Sequence, residues 1–228
     1  MSGKHLLDAT AIELDSKLGS GFRYFRSTAA GRELLEVLES FCEVTVALDH
    51  YDRGGQNAPE AFDLVEARNS TQHRLLSQIS PQLDLRDAEK CIHHGCRLAT
   101  LIFSDMVLFP LPPTQRLKPR LALLLHQALE AGKLLSGWEL HAQIYVWMLT
   151  LGAIAASFTP ERTWYMDQLM ELIETLGIQD WSTIESICCR FLWWKPVCNE
   201  PGQRLWDEMF PPRADKTWTC GMSGRAQC

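Results

Sequence analysis

From Leu140 to Phe158 the chain reads LHAQIYVWMLTLGAIAASF, a stretch without a single formal charge, and no other feature constrains the fold so tightly. A helix that is apolar on every side must either cross a bilayer or lie inside a bundle of other helices. A spanning helix needs about 20 mostly apolar residues. Here His141 and Gln143 interrupt the start, the strongly apolar part begins only at Ile144, and no basic residues flank the stretch to orient it in a membrane. The expectation is therefore a central core helix over residues 138–157, with no membrane association. Its small residues Gly152, Ala153, Ala155 and Ala156 would allow neighbouring helices to approach closely.

The rest of the chain supplies the partners that such a helix requires. From Arg32 onward, Leu34, Leu38, Phe41, Thr45 and Leu48 recur at three-to-four spacing, with Leu35, Cys42 and Val46 widening the stripe, as on an amphipathic helix. Residues 52–59, containing Gly54-Gly55, end it. A second helix is expected from Pro59 to Pro81 with Phe62, Val65, His73, Leu76 and Ile79 inward. Asp84 or Asp87 can cap a third, whose buried side is Ile92, Cys96, Ala99, Ile102 and Phe103, before the run Pro110-Leu111-Pro112-Pro113 separates two halves.

Pro119 opens a fourth helix, with Leu121, Leu124, Leu125, Ala128 and Leu129 inward and an end near Gly132. After the uncharged stretch, Thr159-Pro160 marks the start of a helix ending at Gly177. Asp180 caps another, carrying Ile184, Ile187, Cys188, Phe191 and Leu192 as far as Lys195-Pro196. A short helical turn follows around Leu205, Trp206 and Met209. No segment alternates with period two between hairpin turns, so the chain is expected to be all-α, a single-domain helical bundle of about seven to eight helices. Residues 1–31, broken by Gly19, Ser20 and Gly21, read as a loosely ordered or short helical lead-in, 32–210 as the domain, and 211–228 as a disordered tail.

The net charge of −6 and a pI near 5.6 give no field that draws polyanions. The nearest basic cluster, Arg116, Lys118 and Arg120, reads as a solvated helix approach. No apolar run near the N-terminus is long enough for a signal peptide, so secretion is not expected, and the eight cysteines read as free thiols.

The second half also carries an ordered series of short stretches. These are Trp147-Met148-Leu149, Leu151-Gly152-Ala153-Ile154-Ala155-Ala156, Arg162-Thr163-Trp164-Tyr165, Trp181, Phe191-Leu192-Trp193-Trp194 and Leu205-Trp206-Asp207-Glu208. The first half contributes His73-Arg74-Leu75-Leu76 and the stretch from Cys96 to Phe103. In this order they resemble the fungal-specific transcription factor domain, the regulatory domain of fungal zinc-cluster factors, over residues 32 to 210. The resemblance implies a helical transcription-regulatory module, a nuclear location (otherwise cytoplasmic), and protein partners, either related factors or a second copy of the chain. Full-length members carry upstream a binuclear cluster of six cysteines, spaced Cys-x2-Cys-x6-Cys in each half, that presents a helix to DNA. No such spacing occurs here. The chain is thus expected to be a truncated, cluster-free relative that binds no specific DNA sequence. An apolar surface is expected where the missing helices would pack.

Chemistry other than protein contact finds little footing. Cys91, His93, His94 and Cys96 carry zinc-ligand chemistry, but on a helix they fall on two faces and neither face supplies four ligands. Cys188, Cys189 and Cys198 read as buried small hydrophobes. There is no phosphate-binding glycine loop, His-Glu-x-x-His pair or nucleophile elbow, so no catalytic residue, metal, cofactor or enzymatic activity is expected. Arg162 lies in the first turn of its helix, where the macrodipole disfavours a cation, and so reads as a structural anchor for carbonyls around Ile154 to Ser157 or for a distant carboxylate. Trp147, Trp164, Trp181 and Trp193 read as core, or alternatively as the wall of a pocket for a small-molecule effector. The alternative function is a stand-alone helical small-molecule-binding protein or enzyme.

Overall fold

The uncharged stretch forms α5 (Ala142–Ala155) and packs against elements on all sides. All its side chains are buried except those of Gln143, which is exposed, and Ile154, which is half-buried. The computed structural model describes residues 17–27, 29–54, 58–77, 87–110, 117–135 and 141–211. Around α5 lie a 3-10 helix (Ser20–Ser27) and α1 (Ala29–Arg53), α2 (Ala61–Ser77), α3 (Ala88–Phe103), α4 (Leu117–Leu135), α6 (Glu161–Leu176), α7 (Trp181–Cys188) and α8 (Lys195–Met209). A π-helical turn, Ser104–Leu108, prolongs α3. Among the described residues there is no strand, and the protein is an all-α helical bundle. No described helix is long and apolar enough to cross a membrane.

Local chemistry sets many of the helix ends. Asp87 caps α3, its carboxylate accepting from the backbone N–H groups of Glu89 and Lys90, and Asp180 caps α7 by accepting from Thr183. Gly177 ends α6 in the left-handed conformation, with φ of 65°. Thr159 does not cap α6 as its sequence position suggests. Its hydroxyl instead donates to the Ala156 carbonyl at 3.0 Å, closing the corner between α5 and α6.

The small residues of α5 decide how close its neighbours come. A Cβ built on Gly152 would lie only 2.2 to 2.9 Å from ring atoms of Tyr165 on α6. The Tyr165 ring has no freedom to retreat, because it is fully buried and its hydroxyl donates to the Ala122 carbonyl of α4 at 2.7 Å. One tyrosine therefore fixes the spacing of α4, α5 and α6.

Several sequence expectations change in the folded chain. The lead-in is not loose where it is described: Phe22 and Phe25 of the 3-10 helix are core residues, and Gly21 lies directly against the Phe191 ring. Leu124 is 39% exposed, since α4 already buries Leu121, Leu125, Ala128 and Leu129 beneath it. Phe191 and Leu192 lie beyond the end of α7, in the loop before α8. Lys195-Pro196 starts a helix there, because proline costs nothing in a first turn whose N–H groups lack partners anyway, and α8 is a full helix of 15 residues. The greatest change is in α2, whose buried residues are Leu64, Thr71 and Leu75, while Phe62, Val65, His73 and Leu76 face solvent. Ile79 and the segment 211–228, apart from residue 211, lie outside the described residues, as does Arg116.

Gly152→Ala tests the close packing directly. Helix propensity alone favours alanine by about 1 kcal/mol, but overpacking against a pinned ring costs about 1–3 kcal/mol. We expect a net destabilisation in urea denaturation, the reverse of what an exposed helical glycine would give.

Candidate functional site

Arg162 is the centre of a polar network that joins α5, α6 and α8. Its Nη1 donates to the Ala153 carbonyl at 2.6 Å and to Ser157 Oγ at 3.3 Å, filling orphan acceptors at the end of α5. Its Nε donates at 3.1 Å to each oxygen of the Glu208 carboxylate on α8, and Nη2 pairs with the same group. The Arg162 side chain is only 18% exposed. The cation at an unfavourable helix start is thus balanced by carbonyl dipoles behind it and a carboxylate in front. The sequence pointed to carbonyls of Ile154 to Ser157 or to a distant carboxylate; the carbonyl bonded is that of Ala153, one residue earlier, Ser157 takes part through its hydroxyl, and the carboxylate is Glu208, 46 residues away.

The four tryptophans divide two and two. Trp147 and Trp193 are buried: Trp147 Nε1 donates to the Leu192 carbonyl at 2.9 Å, and Trp193 Nε1 donates to Asn199 Oδ1 at 2.8 Å. Trp164 and Trp181 are half-buried. Trp164 stacks on His126 with ring centres 4.0 Å apart, and Trp181 tilts against Trp193 while covering Gly202, where any Cβ would collide with its ring.

The thiol and imidazole groups do not assemble. Cys96 lies beneath Met148 of α5 at 3.8 Å, Cys91 faces Gly132 of α4, and His93 meets the Phe25 ring at 5.0 Å, so three potential ligands of one helix point to three different neighbours. Among the described residues no group of three or more His, Cys, Asp or Glu side chains is placed to hold a metal ion. Burial lowers the pKa of both His93 and His94 and raises those of the Cys96 and Cys188 thiols. Burial pushes Cys198 up to about 12. These thiols stay protonated and behave as small apolar side chains.

One cleft, of about 370 Å³, opens between the 3-10 helix, the first turn of α5 and the loop after α7. It is lined by Tyr24, His141, Gln143, Arg190 and Phe191 among others, and none of the four tryptophans reaches it. The Arg190 guanidinium is held by Gln143 Oε1, and the rings of Tyr24 and His141 lie 4.0 Å apart. Burial, followed by the Glu89 carboxylate, raises the Tyr24 phenol pKa and keeps it a donor. Sequence reading missed this cleft, since its polar groups come from three separate parts of the chain.

The chain matches no protein-family model, no curated protein and no solved structure. Its candidate functional features are therefore the surfaces and networks of this fold. Phe158, at the corner between α5 and α6, is fully exposed and has a φ of 69°, a conformation that costs a residue with a Cβ roughly 1–2 kcal/mol. On α2, Phe62 is 74% exposed, Val65 42% and Leu76 49%. Lys118 approaches the buried Asp105 carboxylate at 3.6 Å, so that one cation of the basic cluster is held by an acidic partner.

Arg162→Ala is expected to cost about 1–3 kcal/mol, because it leaves the Ala153 carbonyl and a carboxylate without their donor. Hydrogen bonds from Arg162 hold the Glu208 carboxyl below its ordinary range, opposed by a smaller effect of burial. A carboxylate with a depressed folded pKa contributes stability above its unfolded pKa and loses it as pH falls through the folded value. Urea denaturation of both proteins through that acidic window should therefore show the Arg162→Ala penalty shrinking as pH falls. A change no larger than about 0.5 kcal/mol at neutral pH, typical of a surface substitution, would refute the anchor.

Proposed function

We propose that this chain is a transcription-regulatory module of the kind that fungal zinc-cluster factors carry, acting in the nucleus through protein contacts and without DNA-binding or catalytic chemistry of its own. One observation carries the reading. The stretches that resemble that family, scattered from Trp147 to Glu208, are joined by contacts between them. Trp147 donates to Leu192 and stacks on Phe191, Gly152 receives the Tyr165 ring, Arg162 links Ala153 to Glu208, and Trp181 packs on Trp193. Side chains that join separate elements of one core are those that a family resemblance of this kind would retain.

The contact function rests on the surface. The exposed apolar side chains of α2 and Phe158 offer contact area, whereas a chain with a net charge of −6 offers little to phosphates. The alternative reading, a stand-alone small-molecule-binding protein or enzyme, is favoured by the cleft beside Arg190, Gln143 and Tyr24, in which a few polar groups converge beside an aromatic wall.

The test is to tether the full chain to a heterologous DNA-binding domain upstream of a reporter gene. We expect reporter output to change relative to the DNA-binding domain alone. Unchanged output from a fusion that is present and folded would reject the regulatory reading. In mobility-shift titrations near physiological salt, the untethered chain should show none of the sequence preference, about 10³-fold or more, that specific binders display.

A further inference from the structure

The α2 helix carries two apolar stripes and the fold buries only one. Leu64, Thr71 and Leu75 face α1, and Arg68 anchors the same side by donating to the Leu108 carbonyl at 2.7 Å and lying 4.0 Å over the Phe109 ring. The second stripe, Phe62, Val65 and Leu76, is turned to solvent along a helix of 17 residues, about 25 Å long. We propose that this face pairs antiparallel with α2 of a second copy of the chain, around a twofold axis passing beside Asn69. The proposal rests on the reading of the chain as a protein-contact module and names the partner of that surface.

The order of residues about Asn69 makes the face complementary to itself. Phe62 lies seven residues before Asn69 and Leu76 seven after it. At 100° per residue both fall within about 20° of the Asn69 direction, on either side. An antiparallel pair centred on Asn69 therefore brings each Phe62 over Leu76 of the other copy, at both ends of the contact. Glu66, three residues before the centre, and His73, four after it, lie on one flank; Val65, four before, and Gln72, three after, lie on the other. A twofold axis perpendicular to both helices keeps each flank facing its own kind. Glu66 consequently meets His73 of the second copy as acceptor to donor, and Val65 lies beside Gln72, which is half-buried and whose amide oxygen accepts from Ser104 Oγ at 2.6 Å, so that only its methylenes are left for the contact.

At the centre the two Asn69 amides face one another and can exchange hydrogen bonds. A single polar pair of this kind fixes register and orientation where apolar contacts alone would allow sliding. A parallel twofold pairing loses every one of these matches, since each flank then faces the opposite one and Glu66 lies beside Val65 of the second copy instead of His73. One helix pair offers less than the ~800 Å² per partner of a stable complex, so association on the order of micromolar is expected.

Sedimentation velocity on the full chain across a concentration series tests the pairing. We expect a monomer–dimer equilibrium that Phe62→Glu or Leu76→Glu weakens by about tenfold or more, since each substitution buries two unpaired carboxylates in a symmetric contact. Glu66→Lys should weaken it, and the double variant Glu66→Lys/His73→Glu should restore it, an outcome that loss of folding cannot mimic. Circular dichroism checks that each variant keeps its helicity. A chain that remains monomeric to several hundred micromolar overturns the proposal. So does a dimer that Phe62→Glu leaves intact while Phe158→Glu disrupts it. The reporter experiment keeps the two readings apart: a monomer that alters reporter output rejects self-pairing alone, and a dimer that leaves output unchanged rejects the regulatory reading alone.

Discussion

Everything in this fold answers to the burial of α5. A helix without a charged residue, and with Gln143 as its one exposed side chain, has no stable position at a surface, so neighbours must cover nearly all of it. The 3-10 helix, α3, α4, α6, α7 and α8 all do so. The helix in turn limits what those neighbours can be. Gly152 admits the Tyr165 ring, Met148 lies over Cys96, and Trp147 meets Phe22 edge to face and stacks on Phe191. Replacing any of these changes the distance between elements far apart in sequence.

The same burial decides where polar groups can stand. A polar atom inside such a core must find its partner within the protein, and several of the partners are long-range. Trp147 Nε1 reaches the Leu192 carbonyl, Tyr165 reaches the Ala122 carbonyl, and Trp194 Nε1 reaches Asp49 Oδ1 at 3.1 Å. Thr150 and Thr100 turn back on their own helices, to the carbonyls of Val146 and Cys96. Arg162 extends this logic to the edge of the core, where one guanidinium satisfies the end of α5 and ties it to α8. Cys96, Cys188 and Cys198 follow it too, since burial that keeps a thiol protonated also keeps it inert.

What remains outside is the chemistry of contact. An exposed aromatic ring on strained backbone at Phe158 and an unburied apolar stripe on α2 are both costly to leave in water. They stand on elements whose other sides are well packed, so the exposure is not a sign of loose structure. The cleft beside Arg190 differs in kind, with polar groups set around an aromatic wall. Apolar helix faces suit other helices, whereas a recessed cluster of donors suits a small polar molecule.

The sequence by itself determined the all-α class, the buried course of α5, the cap at Asp180 and the stop at Gly177, and it singled out Arg162 as a cation that needs partners. These are local matters: periodicity, the needs of unsatisfied N–H groups and the cost of a cation at a helix start act within a turn or two of the chain. The choice of Asp87 over Asp84 at the start of α3 came from the structure. The tertiary structure alone decided which stripe of α2 is inside, that Phe22 and Phe25 join the core, that Lys195-Pro196 begins a helix rather than ending one, and that Glu208 faces Arg162. A doubly striped helix such as α2 can bury either face with similar gain, and the choice falls to α1 and to Leu108, which accepts a hydrogen bond from Arg68 40 residues away in the chain. Selection among near-equal local options depends on contacts between distant segments, and those exist only once the chain has closed around α5.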